Sequence, residues 1–177
     1  IQLKNYEKAL KLSFNALKAA EEAQDIFSIA EAYNDLAVVS DKLGNYTDAL
    51  KYNLAALKGY EETGTKEQIP WIYNNIALVF LNQKNYRKAE ESLDKALSFA
   101  KELGKLELIK LAYENFTKLD SAQNNYKRAF DHYKLLVLYS DSLINEENSK
   151  KMVRQQMQYE FDKKEASTKA EQDKRDT

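Results

Sequence analysis

The sequence predicts an all-α solenoid of antiparallel helix pairs that ends in one long helix. Two observations carry this. First, residues of one type recur every forty positions: Tyr33, Tyr73 and Tyr113; Leu36, Ile76 and Phe116; Ala9, Ala49, Ala89 and Ala129; Ala16, Ala56 and Ala96. The pair Asn-Tyr stands in the same register at 5–6, 45–46, 85–86 and 125–126. A period of about 20–50 residues held this regularly marks a repeat array. Second, 177 residues hold one Pro and four Gly, so little interrupts the helices. No stretch reads as a strand.

Residues 1–4 read as the tail of a helix whose beginning lies outside the sequence. The chain does not begin with Met and opens partway through a repeat, as expected of a piece of something longer. A helix is expected from Asn5 to Glu22, where Leu10, Phe14, Leu17 and Ala20 keep helical spacing. The next runs from Asp25, as N-cap, to Leu43, with Gly44 in the left-handed position beyond its end. A third spans Tyr46 to Glu62 and stops near Gly64. Thr65 and Gln68 form a capping-box pattern for a helix over 66–83, with Pro70 early in it. Helices over 86–103 (ended by Gly104) and 106–123 follow. The last begins near Tyr126 and meets no Gly or Pro.

Composition excludes several functions. With 27 basic and 28 acidic residues the net charge is −1, which gives no global field for nucleic acid or anionic lipid. Lysines are spread along the helices rather than gathered in a stripe. No run of about eighteen apolar residues and no signal peptide is present. Cysteine is absent, which removes disulfides and thiolate metal sites. His132 is the single histidine and reads as a solvated helix residue. Carboxylates such as Glu21-Glu22 and Glu90-Glu91 are sequence neighbours, which do not face each other on a helix, so they make no acid–base pair. There is no glycine-rich phosphate loop. An enzyme is not expected, nor a cofactor or metal.

The elements aromatic-x-x-Leu-Ala, Leu-Gly-x-Tyr, Ala-Leu and Ala-Leu stand here as Tyr33-Asn34-Asp35-Leu36-Ala37, Leu43-Gly44-Asn45-Tyr46, Ala49-Leu50 and Ala56-Leu57. A second copy reads Tyr73-Asn74-Asn75-Ile76-Ala77, Lys84-Asn85-Tyr86, Ala89 and Ala96-Leu97. The third is degenerate, with Thr117 in place of the small Ala and Leu136 in place of the later one. This pattern resembles the tetratricopeptide repeat family, over residues 1–144 with corners near 45, 85 and 125. The family's usual period is about 34 residues, so helices here should be about a turn longer. The resemblance implies a right-handed superhelix and a non-enzymatic module that binds protein or peptide. A vaguer likeness joins the repeats and the charged stretch Asp141-Ser142-Leu143 to Tyr159-Glu160-Phe161-Asp162-Lys163-Lys164-Glu165 to sensor regions of bacterial membrane-bound histidine kinases. It implies a periplasmic sensing segment of an inner-membrane protein, held to the membrane only through segments outside this chain. The alternative is a cytoplasmic scaffold.

The binding residues are expected on the first helix of each repeat, which lines the concave face of a stacked array. Asn34, Asn74, Asn75 and Asn115 recur there, and an Asn amide both donates and accepts, so it can hold the backbone of an extended peptide. Val38, Trp71, Leu78 and Lys118 fall on or beside that stripe, with Trp71 as the natural anchor. The same asparagines could instead tie one helix to the next.

Residues 126–144 carry Phe130, Tyr133, Leu136, Val137, Leu143 and Ile144, expected to pack on the preceding helix and cap the array. Residues 145–177, with eight basic and eight acidic side chains, are expected as a charged helical extension. Its heptad positions (Tyr139, Leu143, Glu146, Lys150, Val153, Met157, Glu160, Lys164) are half charged, which allows at most a weak homodimer through this helix.

Overall fold

A computed structural model describes the backbone of residues 2–175 and the side chains of residues 5–162. Among them are seven α-helices, one 3-10 turn and no strand. The helices are α1 (Gln2–Glu22), α2 (Ile26–Lys42), α3 (Tyr46–Glu62), α4 (Ile69–Asn82), α5 (Tyr86–Glu102), α6 (Leu106–Ala122) and α7 (Tyr126–Arg175). The chain divides into two units, one running to Tyr139 and one beginning at Ser140. The first unit is the array. The second is the remainder of α7, and its Lys163, Lys164 and Glu165 side chains lie outside the described residues.

The corners are what set the array. Among the described residues six have positive φ: Gln24, Gly44, Gly64, Lys84, Gly104 and Asn124. They stand twenty positions apart, so α2, α3, α5 and α6 are each 17 residues long. At each, the amide one residue later reaches back five residues to a carbonyl: Asp25 to Ala20 at 3.1 Å, Asn45 to Ser40 at 2.8 Å, Thr65 to Tyr60 at 2.9 Å, Asn85 to Phe80 at 2.8 Å, Lys105 to Ala100 at 3.1 Å and Asn125 to Asp120 at 2.9 Å. This is the Schellman closure, which satisfies carbonyls that a helix end leaves open. Asp25 caps α2 by accepting from the Phe27 and Ser28 amides.

The small residues mark the helix crossings, as the period predicts. Ala37, Ala49, Ala56, Ala77, Ala89 and Ala96 are all at most 2% exposed. Leu36, Ile76 and Phe116 are buried among them, and one cluster joins α4, α5, α6 and the start of α7. Gly59 is tighter still. A Cβ there would lie 2.7 Å from Ala30 Cβ.

Several expectations need correction. The Asn5-Tyr6 pair makes no corner, and α1 runs through it from Gln2. Ala16 is exposed, whereas its counterparts Ala56 and Ala96 are buried on helices with neighbours on both sides: α3 meets α2 and α4, and α5 meets α4 and α6. Thr65 and Gln68 form no capping box. The Thr65 side chain pairs with the Thr63 hydroxyl, and a 3-10 turn over Lys66–Gln68 leads into α4. Pro70 falls at the start of α4, where no amide is needed.

His132 is not solvated. It packs 4.8 Å from the Phe116 ring and meets Asp120, which is fully buried, at 2.7 Å. Arg128 completes this cluster. It donates to Glu90 on α5 at 2.6 Å and lies 3.4 Å from Asp120 on α6. That bond to Glu90, and then the nearby Asp120, holds the guanidinium charged, against the effect of partial burial.

Finally, the start of α7 docks through a different face from the one expected. Ala129, Leu135, Leu136, His132 and Tyr139 meet the array, whereas Phe130 is 62%, Tyr133 50% and Val137 39% exposed. The segment is apolar on two sides, so its apolar content alone does not say which one is buried. The corner tyrosines divide in the same way: Tyr46 and Tyr86 are half-buried, and Tyr126 is exposed.

Candidate functional site

The first helices of the repeats, α2, α4 and α6, lie side by side along one side of the array and carry the predicted residues. Asn75 Nδ2 donates to Asn34 Oδ1 at 2.9 Å, from α4 to α2. Asn115 Nδ2 donates to Asn74 Oδ1 at 2.9 Å, from α6 to α4. Asn74 Nδ2 in turn donates to the Pro70 carbonyl at 2.9 Å. A third bond, Asn82 Nδ2 to Asp41 Oδ1 at 2.8 Å, ties α4 to α2 one helix end further on. All three inter-helix bonds join residues 41 apart. The asparagines therefore form a ladder between helices.

Their burial separates them into two kinds. Asn74 and Asn115 are each 1% exposed, and their amides are spent inside the fold. They are not open to a ligand, which corrects the expectation that both face a groove. Adjacent asparagines stand about 100° apart on a helix, so 74 and 75 cannot both point outward. Asn34 and Asn75 are half-buried and hold each other at the surface edge of the ladder. Lys118 is exposed at the other end, bonded to Glu114 at 2.7 Å and reaching Asn115 Oδ1 at 3.4 Å.

Two recesses open on this side. The first, about 40 Å³, is lined by Ala37, Val38, Asp41, Asn53, Asn75 and Leu78 among others. It gathers three of the expected residues, Val38, Asn75 and Leu78. The second, about 350 Å³, is shallow and lined by Trp71, Glu67, Gln68, Lys105, Glu107 and Leu108. Trp71 is 44% exposed there, beside the Glu67–Lys105 ion pair at 3.1 Å. Trp71, Asn75 and Leu78 follow one another at helical spacing along one face of α4, so the recesses share that helix.

Asn53 is the residue that sequence reasoning missed. It lies on α3, is 1% exposed, and neither its Oδ1 nor its Nδ2 has a partner in the protein. A buried amide without partners costs about 1–3 kcal/mol for each group. The forty-residue frame holds the signal. The counterpart one repeat later is Leu93, buried at 2%, so this position accepts an apolar residue. An amide there is an exception to its own repeat.

Two models described as tetratricopeptide repeat match the chain, one over residues 29–63 and one over residues 68–136. No curated protein matches the sequence. Among solved structures, BtubC (BKLC) from P. vanneervenii superposes with a TM-score of 0.67 at 24% identity, over 78% of this chain and 57% of that one. The apo form of RapI superposes with a TM-score of 0.56 at 16% identity, over 80% of this chain and 64% of that one. This chain thus spans less than two thirds of the length of either, and the likeness is one of fold. The chain belongs to the tetratricopeptide repeat family, whose repeats imply a protein–protein interaction module.

Proposed function

We propose that the α2–α4–α6 side binds an extended peptide segment of a partner protein, seated across the Val38–Asn75–Leu78 recess and against Trp71. The observation that carries this is Trp71, 44% exposed on the same face of α4 as Asn75 and Leu78, which line that recess. A peptide group presents both a donor and an acceptor, which suits the half-buried Asn34 and Asn75 amides at the edge of the ladder. Val38 and Leu78 offer apolar contact beside them, Trp71 offers an exposed aromatic surface, and Lys118 and Asn34 flank the row.

The test is selection from a random peptide phage library against the chain and against Val38→Glu/Leu78→Glu. Enrichment on the parent that is lost with the double variant supports the reading. No enrichment on the parent, or enrichment that the double variant retains, overturns it.

A narrower reading makes the module the sensing part of a bacterial signalling protein. It is supported by the resemblance of the charged stretch and by its helicity, since α7 runs unbroken through it to Arg175. No helix among the described residues is long and apolar enough to cross a membrane. The gene sequence downstream of residue 177 tests this: an apolar segment of about 20 residues followed by a kinase domain supports it, and a different domain removes it.

A further inference from the structure

Among the described residues four lysines lie over aromatic rings. Lys51 Nζ is 5.9 Å from the Tyr52 ring centre, Lys88 5.3 Å from Phe80, Lys95 5.3 Å from Tyr73 and Lys134 5.1 Å from Phe130. A cation within about 6 Å of a ring face is drawn to it electrostatically, and the indole of tryptophan draws most strongly. Trp71 is the chain's single tryptophan and is exposed, yet among the described residues no cation lies over it. Lys105 lines the same recess but pairs instead with Glu67 at 3.1 Å.

The walls of that recess leave one negative charge unmatched. Glu67 and Glu107, one repeat apart, line it together. Lys105 answers Glu67, whereas among the described residues Glu107 has neither an ion pair nor a hydrogen bond. Leu108 adds apolar surface beside the indole, and Gln68 adds a neutral amide. A phosphate or an acidic side chain would meet two carboxylates here, and like charges brought together oppose docking. A cation meets an open aromatic face and an open carboxylate.

We propose that the Trp71 recess takes an arginine side chain of the partner segment, its guanidinium stacked on the indole and donating to the Glu107 carboxylate. This rests on the peptide reading of the α2–α4–α6 side and adds the residue type that the segment carries. Arginine fits this surroundings better than lysine does. Its planar head stacks on an aromatic face, and its fork of N–H groups matches a carboxylate with two parallel bonds. An ammonium is a compact, strongly hydrated charge that gains neither. The aliphatic stem of the arginine lies along Leu108 while its head stays at the recess.

Because the chain has one tryptophan, its fluorescence reports this recess directly. The probe is a capped alanine pentapeptide with arginine at its centre, titrated into the chain at low ionic strength, where exposed charges are least screened. The expected result is a saturable change in fluorescence, with affinity about tenfold weaker when citrulline, the uncharged isostere, replaces the arginine. Glu107→Gln should weaken binding of the arginine peptide. Lys105→Ala, which releases Glu67, should tighten it, and a gain in affinity cannot come from damage to the fold. No saturable response to the arginine peptide overturns the proposal, as does an equal response to the citrulline peptide. Affinity unchanged by Lys105→Ala overturns it too. None of these outcomes touches the peptide reading itself, which stands or falls by phage selection at the separate Val38–Leu78 recess.

Discussion

Asp120 on α6 and His132 on α7 face each other across the Asn124 corner, with Oδ2 2.7 Å from Nδ1. Asp120 is wholly buried, and its other contact is the Arg128 guanidinium at 3.4 Å. The imidazole therefore does two things at once: it satisfies a buried carboxylate and fills the space beside Phe116 and Tyr113. His132→Ala should lower stability by about 2–3 kcal/mol, because it leaves a buried acceptor underserved and opens a cavity. His132→Gln, which keeps a donor, should recover part of it. Denaturant unfolding of both variants checks this, and equal losses would show that the hydrogen bond contributes nothing.

The ladder makes its own prediction. Asn74→Ala removes the bond to Pro70 and strands the Asn115 amide inside the fold. It should cost about 1–3 kcal/mol. Asn34→Ala leaves Asn75 half-exposed and able to bond to water, so it should cost less. A thermal melt in which Asn34→Ala is the more damaging would refute this ranking.

Lys84 holds a left-handed conformation, φ 58°, that Gly44 and Gly104 hold without strain in the neighbouring repeats. Lys84→Gly should stabilise the chain by roughly 0.5–1 kcal/mol, since a side chain in that conformation costs about 1–2 kcal/mol and glycine's greater unfolded freedom offsets part of the gain. A lower melting temperature for Lys84→Gly would contradict it.

Burial, then the nearby Glu31 and Asp35 charges, push the Tyr60 phenol from its ordinary value of 10.0 up to about 12. A raised value means that the unfolded chain loses this proton first. Between those pH values the unfolded state binds fewer protons than the folded one, so stability falls as pH rises. The contribution is present below pH 10 and lost toward pH 12, with a size of about 1–2 kcal/mol after allowance for screening. Tyr60→Phe should lose stability less steeply than the parent over that window. Parallel melting curves against pH would remove the claim.

The forty-residue period made most of the fold legible, because repeated Ala, Leu and Tyr positions report packing directly. Gly44, Gly64 and Gly104 announced three corners. Gln24, Lys84 and Asn124 make identical corners, but nothing in those residue types demands positive φ; only the spacing does. The site was less legible. Helical spacing places Asn74 and Asn75 equally close to the stripe, and which of them turns inward depends on where α6 sits. His132 looked solvated because its partner lies twelve positions upstream, across a corner, and its burial depends on Phe116 and Tyr113 on α6. Asn53 was passed over because one polar residue in a buried row carries no periodic signal of its own.

The bonds between residues 41 apart also act as an index between helices. Apolar contacts between α2, α4 and α6 tolerate sliding, since one aliphatic surface meets another nearly as well a turn away. The amides do not. Shifting α4 by one turn, about 5.4 Å, breaks its bonds to Asn34, Asp41 and Asn115 together and leaves Asn74 and Asn115 buried without each other. Each helix thus has one permitted seat against the last, and the spacing of whatever the array displays along α2, α4 and α6 is set in whole steps.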